Sequence, residues 1–314
     1  MKEEFDFYNS TAIRSYNLDE SIRYQLKTLD SLDAYTRKHT ENVANITCRL
    51  CELLNMDKGF TVYCTTCAFL HDIGKIFIPP AILQKPAKLT DEEFAVMKTH
   101  TSIGYKICMN DLKLRPFAAG ALYHHEALDG TGYPNAVPEK EIPYEAQIIR
   151  VADEFEAITA KRQYKSHVGV IDALNIIIDH ARPSNPQDVK TGLKRMFSPR
   201  SVGKVDRNVV KALFKVIIDD TEYEIVARSG YLEFVEDEIK RVSEAQRYYQ
   251  KMTSALSESK REYFKAEVKC FLKPHEEPEK IPEMLQEFKN TLKAREEHIL
   301  KLHNEVKQIK RLTV

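Results

Sequence analysis

The chain has few residues that break helices, with 10 glycines and 13 prolines in 314 positions. That scarcity excludes a collagen-like repeat and a low-complexity linker. Net charge is missing too, because 47 lysines and arginines balance 47 aspartates and glutamates. No overall field draws the molecule to a nucleic-acid polymer or an anionic membrane, so an anionic ligand must be held by a local site. No apolar run approaches the ~18 residues of a membrane span. The opening residues, Met1-Lys2-Glu3-Glu4-Phe5-Asp6, are acidic and carry no signal-like apolar segment. The expectation is a soluble cytoplasmic protein with neither nucleic acid nor membrane as partner.

What is present favours helices. Hydrophobic residues make up 43 % of the chain, enough to bury a core. Leu, Ile, Ala, Glu and Lys, all good helix formers, are abundant. Val43, Ile46, Leu50, Leu53 and Leu54 recur at spacings of three and four, one apolar helix face. Asp129-Gly130 lies in a Gly-rich loop, and no hairpin signal joins two alternating runs. The expected class is all-α. Interruptions fall at Pro79-Pro80, in a loop over 127–145, and at Pro183 to Pro186 before a basic stretch to Arg200.

This patterning divides the chain into a polar lead-in over 1–20, a helical body over 21–220, and a C-terminal helical hairpin over 235–314. From Val235 onward about 40 % of residues are charged and glycine is absent. Leu285, Leu292, Ile299 and Val306 alternate with Ile281, Phe288, Leu302 and Ile309 at heptad positions, broken by Arg295. A period of 3.5 residues is a coiled-coil seam. A weaker version runs through Val235, Val242, Tyr249, Leu256 and Tyr263, and the segment 273–278 ends that helix. The seam points to a homodimer or a helical protein partner, with a surface helix pair packed on the body as the alternative.

His71-Asp72 follows an apolar run, and His39, His100, His124, His125 and Asp153 are its scattered company. Each imidazole alone is more often a satisfied polar residue than a ligand. Together with two carboxylates they suit iron, manganese, zinc or cobalt. Two such ions about 3.5–4 Å apart clamp both oxygens of a phosphoryl displacement. Cys48-x-x-Cys51 and Cys64-x-x-Cys67 superficially mimic a zinc site, but each pair lies within an apolar helical run, where free cysteine is a small hydrophobe.

The order of motifs resembles the HD-GYP family, the bacterial branch of HD metal-dependent phosphohydrolases. The resemblance is carried by His71-Asp72-Ile73-Gly74-Lys75, Ile82-Leu83, Lys85-Pro86, Glu93, His100, Gly104 and His124-His125-Glu126. Asp129-Gly130, Gly132-Tyr133-Pro134, Ile142-Pro143, Val151-Ala152-Asp153, Arg162 and Tyr164 continue it. It covers about residues 21 to 220 and implies an HD-domain helical bundle.

It further implies a phosphodiesterase that cleaves a cyclic dinucleotide, cyclic di-GMP above all, to linear pGpG and on to GMP. Two divalent ions, iron or manganese, are implied, with attack by the hydroxide between them. His39, His71, Asp72 and Asp153 take the place of ligands to one ion, and His100, His124 and His125 to the other, with Asp72 bridging. Asp72 and Lys75 are then catalytic. Lys75, Gly132, Tyr133, Pro134, Arg162 and Lys165 take substrate-binding places. Tyr35 stands where some members have a third-metal Glu, which favours two ions. Gln147, Glu156 and Gln163 depart from the family's usual Arg, Asp and Pro. The alternatives are a catalytically weak member that binds nucleotide or protein, and a phosphohydrolase of another nucleotide such as 3′3′-cGAMP.

Overall fold

The computed structural model describes residues 34–160, 168–182 and 203–312, and it is all-α, without a strand among them. Two compact units meet in the numbering at Ile217 and Ile218. Residues 1–20, Arg162, Lys165 and the stretch from Pro183 to Arg200 lie outside the described residues.

In the first unit, α1 (Ala34–Leu53) and α2 (Lys58–Leu70) lie against each other, and α1 also packs on α5 (Tyr144–Thr159). Val43, Ile46 and Leu50 are buried, as their spacing predicts. Asp57 starts α2 by accepting the Phe60 N–H at 2.9 Å. A single 3₁₀ turn, Ile73–Phe77, follows His71-Asp72. It presses on α3 (Asp91–Asn110) so closely that a Cβ on Gly74 would sit 1.9 Å from the His100 carbonyl oxygen. Only glycine fits there. Thr90 and Glu93 begin α3 with a reciprocal capping box. Helix α4 (Ala118–Tyr123) packs on α2 and α3, and α6 (Val170–Ala181) on α5.

The second unit joins most of α7 (Arg207–Thr253) with α8 (Glu258–Phe271) and α9 (Ile281–Leu312). Lys310 pairs with Glu222, whereas Ile281 and Leu285 bury against Val242, so α7 and α9 run antiparallel. A second apolar cluster joins Ile225 to Ile299, Leu302 and Val306. The α9 seam is thus filled by α7 of the same chain. The first arm of the hairpin differs from the continuous helix read near 235–271. It ends at Thr253, because Ser257 caps a new helix, and Leu256 is left fully exposed. Arg295, the heptad break, stands out of the seam over the Tyr231 ring.

Cys48, Cys51, Cys64, Cys67 and Cys108 are buried and outside any disulfide, while Cys270 is exposed. Burial, with Asp111 nearby, pushes the Cys108 thiol up to about 11. Such protonated sulfurs fill core volume.

Candidate metal centre

His39 is carried by α1, His71 and Asp72 by the end of α2 and the residue after it, and His100 by α3. His124 and His125 follow α4, and Asp153 stands on α5. Positions more than a hundred residues apart converge. His39 Nε2 lies 3.2 Å from Asp153 Oδ1 and 3.5 Å from Asp72 Oδ2. His71 Nε2 is 3.3 Å from Asp72 Oδ2, and His100 Nε2 is 3.4 Å from Asp72 Oδ1. His124 Nε2 comes 3.3 Å from His100 Nε2, and His125 Nδ1 3.9 Å from Asp153 Oδ2.

The ligating atoms fall into overlapping triads: His39, His71 and Asp153; His71, Asp72 and His124; His100, His124 and His125. Each triad offers a donor set that suits a divalent cation of borderline softness. Two central atoms, His71 Nε2 and Asp72 Oδ1, are fully buried and meet no hydrogen-bond partner among the described residues. Buried polar atoms left so are costly unless a ligand satisfies them. The residues therefore fit a metal.

Backbone carbonyls orient most of the rings. His71 Nδ1 donates to the Ala68 carbonyl at 2.6 Å, and His100 Nδ1 to that of Met97 at 2.7 Å. His124 Nδ1 is shared between Gly120 and Ala121 at 3.1 Å each. Fixing Nδ1 as the donor leaves Nε2 as a lone-pair ligand turned inward. His39 uses a carboxylate instead: its Nδ1 bonds Glu156, which Asn42 holds from the other oxygen at 3.1 Å.

Electrostatics divides the histidines. Burial keeps His100 and His124 below the ordinary imidazole value and pushes His125 down to about 3, so these rings are neutral. Burial works the same way on His39, but Asp153, Asp72 and Glu156 outweigh it and hold the ring well above that value. Asp72 would be raised by burial, yet His71 and Lys75 keep it ionised, well below the carboxylate range. The Lys75 ammonium hydrogen-bonds Asp72 directly.

The loop after His125 is built on its backbone. A Cβ on Gly132 would meet the Ala127 nitrogen at 2.2 Å. Tyr133 N–H donates to the His125 carbonyl at 3.1 Å, and the Tyr133 ring stacks on His125 at 4.6 Å. The Tyr133–Pro134 peptide is cis. Glu126 accepts the N–H groups of Asn135, Ala136 and Val137 at 2.7–3.3 Å. Arg150 donates to the carbonyls of His125 and Glu126 at 2.8 and 3.1 Å. Asn42, Glu126, Arg150 and Glu156 carry no role that the sequence motifs reveal. Spacing flags Asn42 and Glu156, each about one turn after a candidate ligand, His39 and Asp153.

Residues 23–184 match the HD domain, just over half of the chain. The chain belongs to the HD-domain family. Among curated HD-domain relatives, a cyclic di-GMP phosphodiesterase of Thermotoga maritima is 40 % identical over 173 residues, 53 % of this chain and 47 % of that protein. A 3′3′-cGAMP-specific phosphodiesterase of Vibrio cholerae is 33 % identical over 172 residues, 55 % of this chain and 37 % of that protein. The chain spans less than half the length of these relatives. The solved structure of an HDG"Y"P protein from Bdellovibrio bacteriovorus aligns over 67 % of this chain and 66 % of that one. It does so with a TM-score of 0.45 at 21 % identity. No helix among the described residues is long and apolar enough to cross a membrane.

Proposed function

We propose that this HD-domain protein is a metal-dependent phosphodiesterase that hydrolyses a cyclic dinucleotide, cyclic di-GMP first, to linear pGpG and then to GMP. The supporting observation is the convergence of five imidazoles and two carboxylates around two central atoms that meet no hydrogen-bond partner among the described residues. His39, His71, Asp72 and Asp153 would hold one divalent cation, iron or manganese. His100, His124 and His125 would hold a second, with Asp72 between them. Such a pair of ions, when bound, lowers the pKa of water and offsets charge on a phosphate.

The chain's own groups do the rest. Neutral His100, His124 and His125 are in the form that ligates. Lys75, part-exposed beside Asp72, would donate to a phosphate oxygen. Gly132, Tyr133 and Pro134 shape the wall beside His125, and Arg162 and Lys165 complete the proposed substrate contacts. Relatives named for 3′3′-cGAMP support the mixed dinucleotide as a second substrate.

The test is metal analysis of anaerobically purified protein, then turnover of a panel of cyclic dinucleotides. Asp72→Ala removes a central carboxylate and lowers turnover by roughly 10³ or more, the worth of several kcal/mol of charge stabilisation. Full activity of that variant with metal supplied rejects the mechanism.

The cytoplasm, and association with a second copy or a helical partner through a C-terminal coiled coil, belong to the same proposal. Because α7 occupies the α9 seam, association would use the exposed Tyr223, Val226, Tyr231 and Phe234 of α7. Light scattering of Phe234→Glu should show a shift towards monomer. An unchanged mass would remove that face from the proposal.

A further inference from the structure

Burying apolar surface is favourable, yet Phe94 on α3 stays 45 % exposed. Its ring meets Tyr133 edge to face, with centroids 6.2 Å apart. Tyr133 in turn lies flat on His125. Three rings thus step outward from a candidate metal ligand to solvent. Lys98, one turn along α3, sets its ammonium 5.2 Å from the Phe94 centroid and 5.9 Å from that of Tyr133.

We propose that Phe94 and Lys98 form a purine seat at the rim of the metal centre, Phe94 stacking one base of the substrate and Lys98 donating to that base's acceptor edge. This rests on the cyclic dinucleotide reading above. Aromatic faces accept any base, and each stacked base contributes measurably to single-strand binding. A phosphate is the poorer occupant, because Asp91 and Glu92 share the first turn of α3 with Phe94. Guanine offers O6 and N7 as acceptors, whereas adenine turns its N6 amino donor towards a cation. The seat therefore favours guanine.

Phe94→Ala should raise KM for cyclic di-GMP about tenfold with kcat little changed. It should leave hydrolysis of bis(p-nitrophenyl) phosphate, which has no base, within twofold of the parent. Because the ring is exposed, the melting temperature should hold, which separates the effect from misfolding. The chain contains no tryptophan, so Phe94→Trp gives a single reporter. Cyclic di-GMP added to the chelator-treated variant should quench its emission, and ribose 5-phosphate should not. Lys98→Met should cut the preference for cyclic di-GMP over cyclic di-AMP about fivefold or more. Equal losses on the dinucleotide and the aryl ester, or none on either, overturn the seat alone. A parent protein that cleaves the aryl ester but no cyclic dinucleotide overturns the proposed function and the seat with it.

Discussion

At His39 the ring nitrogen that faces away from the cluster governs the one that faces in. Glu156 holds Nδ1, and Asn42 holds Glu156, so the inward nitrogen is set by residues that touch no ligand position. Outer partners of this kind typically change metal affinity 10–100-fold when removed. Glu156→Gln should therefore weaken metal binding by about that factor in a competition titration against a chromogenic chelator. Unchanged affinity would show that α1 alone fixes the ring. The seven candidate positions, which the structure brings together, were legible because the motifs that carry them fall in a known order. Glu156 was not. In the sequence it is only a departure from Asp, one methylene longer, and the geometry shows that its reach ends on His39.

Among the elements, the loop between α4 and α5 contrasts with the helices around it. Its existence was plain from Gly130, Gly132, Pro134 and Pro138, whose clustering disfavours a continuous helix. What organises it was hidden, because a carboxylate that gathers three N–H groups nine to eleven residues away has no period to detect. Hydrogen bonds to a charged group contribute ~1.5–3 kcal/mol each at most. Glu126→Ala should lower the melting temperature by several degrees and raise KM, since Tyr133 is held by the same loop. A variant with parental melting and parental KM would show the loop to be set by its glycines and prolines alone. Helix α7 was the element least well bounded in the sequence. Its early turns carry Val209, Val210, Leu213 and Phe214, which read as part of the body, while the heptad pattern becomes visible only near Val235. One helix serves two apolar patterns in succession.

At the scale of the whole molecule, the C-terminal unit carries an ion-pair network that makes it sensitive to acid. In the C-terminal unit, Arg241 bonds Glu276 at 2.7 and 2.8 Å and Glu238 at 2.7 Å, while Lys273 bonds Glu238 at 2.8 Å. The Arg241 guanidinium holds the Glu276 carboxyl below its ordinary 4.5, against the opposing pull of partial burial. A carboxyl with a lowered folded pKa stabilises the fold fully above its unfolded value and loses that contribution as pH falls through the folded one. Melting of this unit should hold from neutral pH to about 5 and decline below 4.5. Glu276→Gln should flatten that decline, and an equal slope in the variant would assign the acid sensitivity elsewhere.

On the proposed function, His71 Nε2 and Asp72 Oδ1, buried and without a hydrogen-bond partner among the described residues, would tie the survival of this molecule to metal supply. A ligand that binds only the native state stabilises it by RT ln(1 + [L]/Kd), and proteases remove what opens. Cells short of transition metal would then hold less of the protein as well as a less active form of it. On that same proposal, a cyclic dinucleotide would accumulate under scarcity through turnover of the polypeptide, on a timescale of proteolysis.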